Sequence, residues 1–145
     1  MRRVFRPVFP VAVGLLLVSC QQEADPVRDV NNKINHTVRY KAETGKHDFW
    51  HPATTVGDCE DYVLAKRLLL IAADWPVEDL DVLVLQDNQH TFGHAVLHVK
   101  SVDKTLDNSD DAILPLKKFL KDNDLYVICV ARDLETKDLH ASKRC

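Results

Sequence analysis

The sequence predicts an α+β domain in which one central buried helix packs on an antiparallel sheet. Three features carry this expectation. A helix-period segment near residues 58–74 is apolar on most of its sides, a shorter amphipathic helix precedes it, and the Val- and Leu-rich strand segments all follow it. Helices first and strands afterwards fit an antiparallel sheet better than alternating β–α units.

The elements follow in order. Asp25-Pro26 reads as a helix start, an N-cap residue and then Pro at the first helical position, where the missing N–H costs nothing. Val27, Val30, Ile34 and Val38 recur at spacings of three and four, which predicts a helix to about Tyr40. Residues 41–57 are polar and loop-like, with the bulky Phe49-Trp50 among them; Trp50 is expected either in the core or along a site. In the segment from Asp58 to Asp74, Tyr62, Ala65, Leu69 and Ala72 form one stripe, and Leu64, Leu68 and Ile71 form another. Past its first turn the charges within it are Lys66 and Arg67, the pattern of a helix buried on most sides. Trp75-Pro76 ends it. Leu80–Gln86 and Phe92–Val99 read as strands joined by a hairpin turn at Asp87-Asn88-Gln89-His90-Thr91. Pro115–Lys121 reads as a short helix and Leu125–Ala131 as a third strand.

A chain of 145 residues with 46% apolar and 28% charged residues suits one globular domain. A formal net charge of −3 offers no basic surplus, so nucleic acid is not an expected partner. Cys20, Cys59, Cys129 and Cys145 are scattered without a CxxC pair, which argues against a zinc ribbon. In an oxidising compartment Cys129 and Cys145 could pair; the alternative is a Cys129 that packs as a small hydrophobe.

The front of the chain reads as an export signal. Arg2, Arg3 and Arg6 precede the apolar run Val8–Val18. That run is shorter than the roughly 20 residues a spanning helix needs. It ends in Leu17-Val18-Ser19-Cys20, which resembles the lipobox of bacterial lipoproteins. The expected organisation is a signal peptide at 1–19, a tether at 20–28 lipidated on Cys20, and a folded domain at 29–145. Acyl chains on Cys20 would replace the removed apolar segment as the anchor. Gln21, in place of the Asp that retains lipoproteins at the inner membrane, favours the periplasmic face of the outer membrane.

Cys59 opens the buried helix within Gly57-Asp58-Cys59-Glu60-Asp61-Tyr62. A thiol at a helix N-terminus feels the positive end of the helix dipole, which favours the thiolate. His94, in Phe92-Gly93-His94-Ala95-Val96-Leu97, is the candidate general base, and Asp107, in Thr105-Leu106-Asp107-Asn108, the candidate carboxylate behind it. A neighbour such as Asp103 could serve as well as Asp107. Were His90, His94 and His98 all on a strand they would share one face, yet lie about 13 Å apart in succession, too far for one metal; the apolar neighbours of His94 make it the strand-centre candidate, with His90 expected in the turn. Asp58, Glu60 and Asp61 suit a helix start, yet their charges oppose a thiolate on Cys59. A bound cation would offset them, and calcium takes carboxylate oxygens.

These segments resemble the bacterial transglutaminase-like cysteine proteinases, the family of the LapG-type periplasmic proteases. The matching stretches are Val30-Asn31-Asn32-Lys33-Ile34-Asn35, Asp48-Phe49-Trp50-His51-Pro52, Gly57-Asp58-Cys59-Glu60-Asp61-Tyr62 with Lys66, Gly93-His94-Ala95-Val96-Leu97 and Leu106-Asp107-Asn108. The resemblance implies a papain-like or transglutaminase-like fold, a Cys59–His94–Asp107 triad, and a calcium site on Asp58, Glu60 and Asp61. It further implies a protein substrate, a surface adhesin cut near a pair of small residues, and control by an inner-membrane receptor that senses a cyclic dinucleotide. The chain is shorter than typical members, and its lipobox-like segment implies a lipid anchor where the better-known members are soluble in the periplasm. The expected function is a lipid-anchored cysteine peptidase. An amidase or acyltransferase acting on cell-wall peptide keeps the same triad, and a non-catalytic binding lipoprotein keeps only the fold.

Overall fold

The computed structural model describes residues 24–43 and 50–131. The expected signal peptide, Cys20, Asp48-Phe49 and the Cys145 end of the suggested disulfide lie outside the described residues.

Helix α1 spans Pro26–Thr37 and is capped by Asp25, whose carboxylate accepts from the Arg28 N–H at 3.2 Å. It therefore starts inside the stretch expected as a tether. Val27, Val30, Asn31 and Ile34 form its buried face. It stops short of the expected Tyr40 because Val38 turns extended, with φ −96° and ψ 135°. Arg39–Tyr40 (β1) then pairs in parallel with Val56–Gly57 (β2), within the stretch that reads as a loop. Trp50 is buried in the core, 4% exposed.

Helix α2, Cys59–Ala72, is the central element, with Glu60 to Lys66 and Leu70 buried. It ends where Asp74 takes a left-handed φ of 61°. Strands β3 (Leu80–Asp87) and β4 (Gly93–Val99) form the expected hairpin, in register from Leu80 opposite Val99 to Gln86 opposite Gly93. The Asp87 carboxylate closes its turn by accepting from the N–H groups of Thr91 at 2.8 Å and Phe92 at 2.9 Å. Strand β5 (Lys104–Leu106), helix α3 (Leu116–Asp122) and strand β6 (Leu125–Val130) complete a four-stranded antiparallel sheet in the order β5-β4-β3-β6.

Because side chains alternate along a strand, the sheet presents two apolar faces. Leu80, Val82, Ala95, Leu97 and Val99 pack with Val63, Leu64 and Leu70 of α2 and Val27 and Val30 of α1. Leu83, Leu85 and Val96 pack instead on Phe119 of α3. The sheet is thus covered on both faces. The arrangement sets the N-terminus of α2 against the middle of β4, which is where the candidate residues meet.

Candidate active site

Strand β2 delivers the chain to Asp58, the N-cap of α2, and Cys59 is the first helical residue. Asp107 follows directly on β5. Cys59, His94 and Asp107 line one cavity of about 610 Å³, together with Tyr40, Phe92 and Phe119.

His94 Nε2 lies 2.7 Å from Asp107 Oδ1, and both side chains are more than nine-tenths buried. The imidazole's other nitrogen, Nδ1, is left for a reacting partner. The second Asp107 oxygen accepts from Ser109 Oγ, and the Asn108 N–H donates to Oδ1 at 2.7 Å. Burial pushes the Asp107 carboxyl up, but the bond and charge of His94 with the donors of Ser109 and Asn108 win, and it stays below its ordinary range. Phe92 stacks on His94 with ring centroids 5.6 Å apart. The rival histidines are engaged elsewhere: His98 Nε2 is 3.1 Å from Asp103, and His90 Nδ1 is 3.1 Å from the Tyr126 hydroxyl. Asp103 therefore serves His98, and Asp107 serves His94.

The thiol has a different environment. Cys59 Sγ donates to Glu60 Oε2 at 2.8 Å. Burial pushes the Cys59 thiol far above its ordinary range, and the Glu60 charge adds to this; the Ala95 N–H, bonded to the sulfur, acts in the opposite sense. The helix dipole alone does not make this thiol a thiolate.

The acidic cluster is buried: Asp58 is 7% exposed, Glu60 8% and Asp61 1%. Asp61 Oδ1 accepts from the His51 N–H at 2.9 Å and lies 3.2 Å from His51 Nδ1. Burial, with the Asp58 charge added, pushes the Asp61 carboxyl up to about 6. A cavity of about 470 Å³ beside Asp61 is lined also by Glu43, His51 and Gly57. Among the described residues, no three His, Cys, Asp or Glu side chains converge as metal ligands, and Glu60 is turned to Cys59. The donors nonetheless fit a hard cation, since two buried carboxylates of like charge share one helix start beside a polar cavity.

Gly57 makes room for that cluster. A Cβ at this position would lie 2.6 Å from Asp61 Cβ and 2.9 Å from its Oδ2. Gly57→Ala is expected to lower stability by about 1–3 kcal/mol, as overpacking does, and to displace the backbone entering Cys59. Urea unfolding followed by circular dichroism checks the first; slower Cys59 alkylation checks the second.

Some participants were not assigned a role from the sequence. The Ala95 N–H and the Phe92 ring depend on how β4 meets α2. Lys66 carried a signal, as a cation inside an apolar helix, but its partners did not.

The chain matches the bacterial transglutaminase-like cysteine proteinase (BTLCP) family over residues 15–123, and it belongs to that family. Among solved structures it is similar to Legionella pneumophila LapG, at 22% identity and a TM-score of 0.62 over 74% of this chain and 64% of that one. Calcium-bound L. pneumophila LapG gives 22% and 0.61 over 83% and 70%, and the EGTA-treated form 23% and 0.60 over 71% and 60%. At these identities the likeness establishes the transglutaminase-like fold. The chain spans 64% of the length of the first of these structures. No curated protein matches it in sequence.

Proposed function

We propose that this protein is an exported, lipid-anchored cysteine peptidase that hydrolyses a peptide bond in a surface or periplasmic protein. The observation that carries it is the bonded His94–Asp107 pair in one cavity with Cys59, in a chain of a cysteine proteinase family.

The chemistry follows from these residues. His94 Nδ1 takes the thiol proton as Cys59 Sγ forms a bond to the substrate's carbonyl carbon. Asp107 holds the imidazole by Nε2 and stabilises the imidazolium. The Cys59 N–H, among those a helix start leaves without an intrahelical acceptor, donates to the oxyanion. His94 then gives the proton to the leaving amine. Water attacks the thioester, losing a proton to His94, and the carboxylic product leaves as Cys59 regains its thiol.

Asp58 and Asp61, without the Glu60 that is turned to Cys59, would hold a calcium ion with other donors, and its charge would offset the carboxylates that oppose the thiolate. That LapG is known in calcium-bound and EGTA-treated forms supports this reading. The lipid anchor rests on Leu17-Val18-Ser19-Cys20, and Gln21 after it favours the periplasmic side of the outer membrane. A surface adhesin as substrate and an inner-membrane receptor as regulator are the partners that the family resemblance favours.

The test is product analysis. Outer-membrane fractions treated with the protein in ¹⁸O-water should gain new protein N-termini, with ¹⁸O in the matching C-terminal carboxylates. Cys59→Ala should give none. Amide products without ¹⁸O would mark an acyltransferase, and cleavage of cell-wall peptide alone an amidase.

A further inference from the structure

Asp107 stands just past β5, a strand of three residues at the sheet edge. Such a position does little by itself to fix a carboxylate, yet misplacing a catalytic group by about 1 Å can cost roughly a hundredfold in rate. Its backbone carbonyl, however, receives two donors. Lys66 Nζ reaches it at 2.7 Å and Asn35 Nδ2 at 3.0 Å. Lys66 is fully buried, two helical turns after Cys59 on the same face of α2. Its ammonium also donates to Asn31 Oδ1 at 2.8 Å, and the ring centre of Tyr62 lies 5.9 Å away. Asn31, fully buried, and Asn35 lie one turn apart on α1. Asn35 Nδ2 further donates to the Asp110 carbonyl at 3.2 Å and to Asp111 Oδ1 at 3.0 Å. His36 Nε2 lies 2.6 Å from the other Asp111 oxygen.

A buried ammonium is an expensive way to fill a core, where Leu or Met of similar volume serves as well or better. Burial pushes Lys66 down to about 7, against the opposing charges of Asp107 and Asp111. The residue is thus poorly explained as packing, and one of its two hydrogen bonds, at 2.7 Å, is to the carbonyl of the residue that orients His94.

We propose that Lys66 and Asn35 are positioning residues that grip the Asp107 carbonyl from two helices and thereby fix Asp107 against His94. The inference rests on the catalytic reading above and deepens it. It gives the Asn31–Asn35 segment and Lys66 a shared role, one step removed from the reacting atoms. The path runs from Lys66 and Asn35 through the Asp107 backbone to its carboxylate, then to His94 and Cys59.

The test is a double-mutant cycle on the whole protein in detergent with calcium. The rate of Cys59 alkylation by iodoacetamide is read at the Cys59 peptide by mass, from pH 5 to 9. The proteins are wild type, Lys66→Met, Asn35→Ala, Asp107→Ala, His94→Ala, and Asp107→Ala combined with each of the first two changes. Each single change at Lys66 or Asn35 is expected to slow alkylation at neutral pH roughly ten- to a hundredfold. Each should also move the thiolate titration up. On the Asp107→Ala background neither should matter further. Wild-type rates and titration in both single variants overturn the inference, and so do losses that multiply with that of Asp107→Ala. Should Lys66→Met lack a cooperative thermal transition, Asn35→Ala, on a half-buried side chain, decides by the same cycle. A wild type that labels slowly and is indifferent to His94→Ala sinks the catalytic reading itself, and the positioning role with it.

Discussion

Replacing His94 by alanine is expected to lower peptide hydrolysis by roughly 10²- to 10⁴-fold, the usual contribution of a positioned proton carrier. Cys59→Ala should abolish it, since no covalent intermediate can form. The His94 loss is expected to be large because the acceptor now bonded to the sulfur, the Glu60 carboxylate, opposes the thiolate by its charge. A carboxylate there favours the neutral thiol, so without His94 the thiol stays protonated. Asp107→Asn should fall between wild type and His94→Ala, keeping the shape of the contact but losing the charge that stabilises the imidazolium. A kcat and KM comparison on one peptide checks all three. The loss should appear in kcat, because these groups act on the transition state more than on the bound substrate.

The second large effect expected is that of metal removal, with a defined pH dependence. Asp61 is raised from its ordinary 3.8 to about 6, first by burial and also by the Asp58 charge. A carboxyl raised on folding binds a proton in the folded state that the unfolded chain has released. Without metal, wild type should therefore lose stability relative to Asp61→Asn as pH rises from 3.8 through about 6. Calcium reverses that sign, because the ionised carboxylate is the form that binds it. Calcium should thus raise the thermal midpoint little at pH 5 and most above pH 7. At a hundred times Kd the gain is about 2.7 kcal/mol. Chelation at pH 7 should also silence Cys59, since the acidic cluster then opposes the thiolate unaided. Melting curves with calcium and with chelator, for wild type and Asp61→Asn, test this directly. Equal shifts at pH 5 and pH 7 would argue against Asp61 as a ligand.

Much of this site was legible because its residue types are rare in their surroundings. Cys59 interrupts an acidic helix start, and His94 sits among Ala, Val and Leu on a strand. The choice between Asp103 and Asp107 was not legible, because both follow His94 closely. The register of β4 with β5 decides it. His98 lies opposite Thr105 and Leu97 opposite Leu106, so Asp103 emerges at the His98 end and Asp107 towards His94. Local pattern also misjudged lengths that tertiary pairing sets. Val38 to Tyr40 continue a helical period, yet β1 pairs with β2 instead. Strand β5 is too short to show alternation and exists through its pairing with β4. Helix α3 was anticipated, but not that it covers the second face of the sheet.

The acidic cluster shows a finer limit. Asp58, Glu60 and Asp61 are neighbours in sequence, which suggested one ligand set. On a helix, successive side chains diverge by about 100°. Glu60 is accordingly found on the sulfur, while Asp61 faces His51 and the polar cavity.

The central claim is that Cys59 and His94 act as one chemical pair. The measurement that tests it most directly is the pH dependence of Cys59 alkylation in the calcium-loaded protein, beside His94→Ala. A thiolate titrating well below the ordinary value of about 8.5, and lost in the variant, is the predicted result. A thiol that stays unreactive through neutral pH, with or without His94 and with or without calcium, would contradict it and leave a binding protein on a peptidase fold.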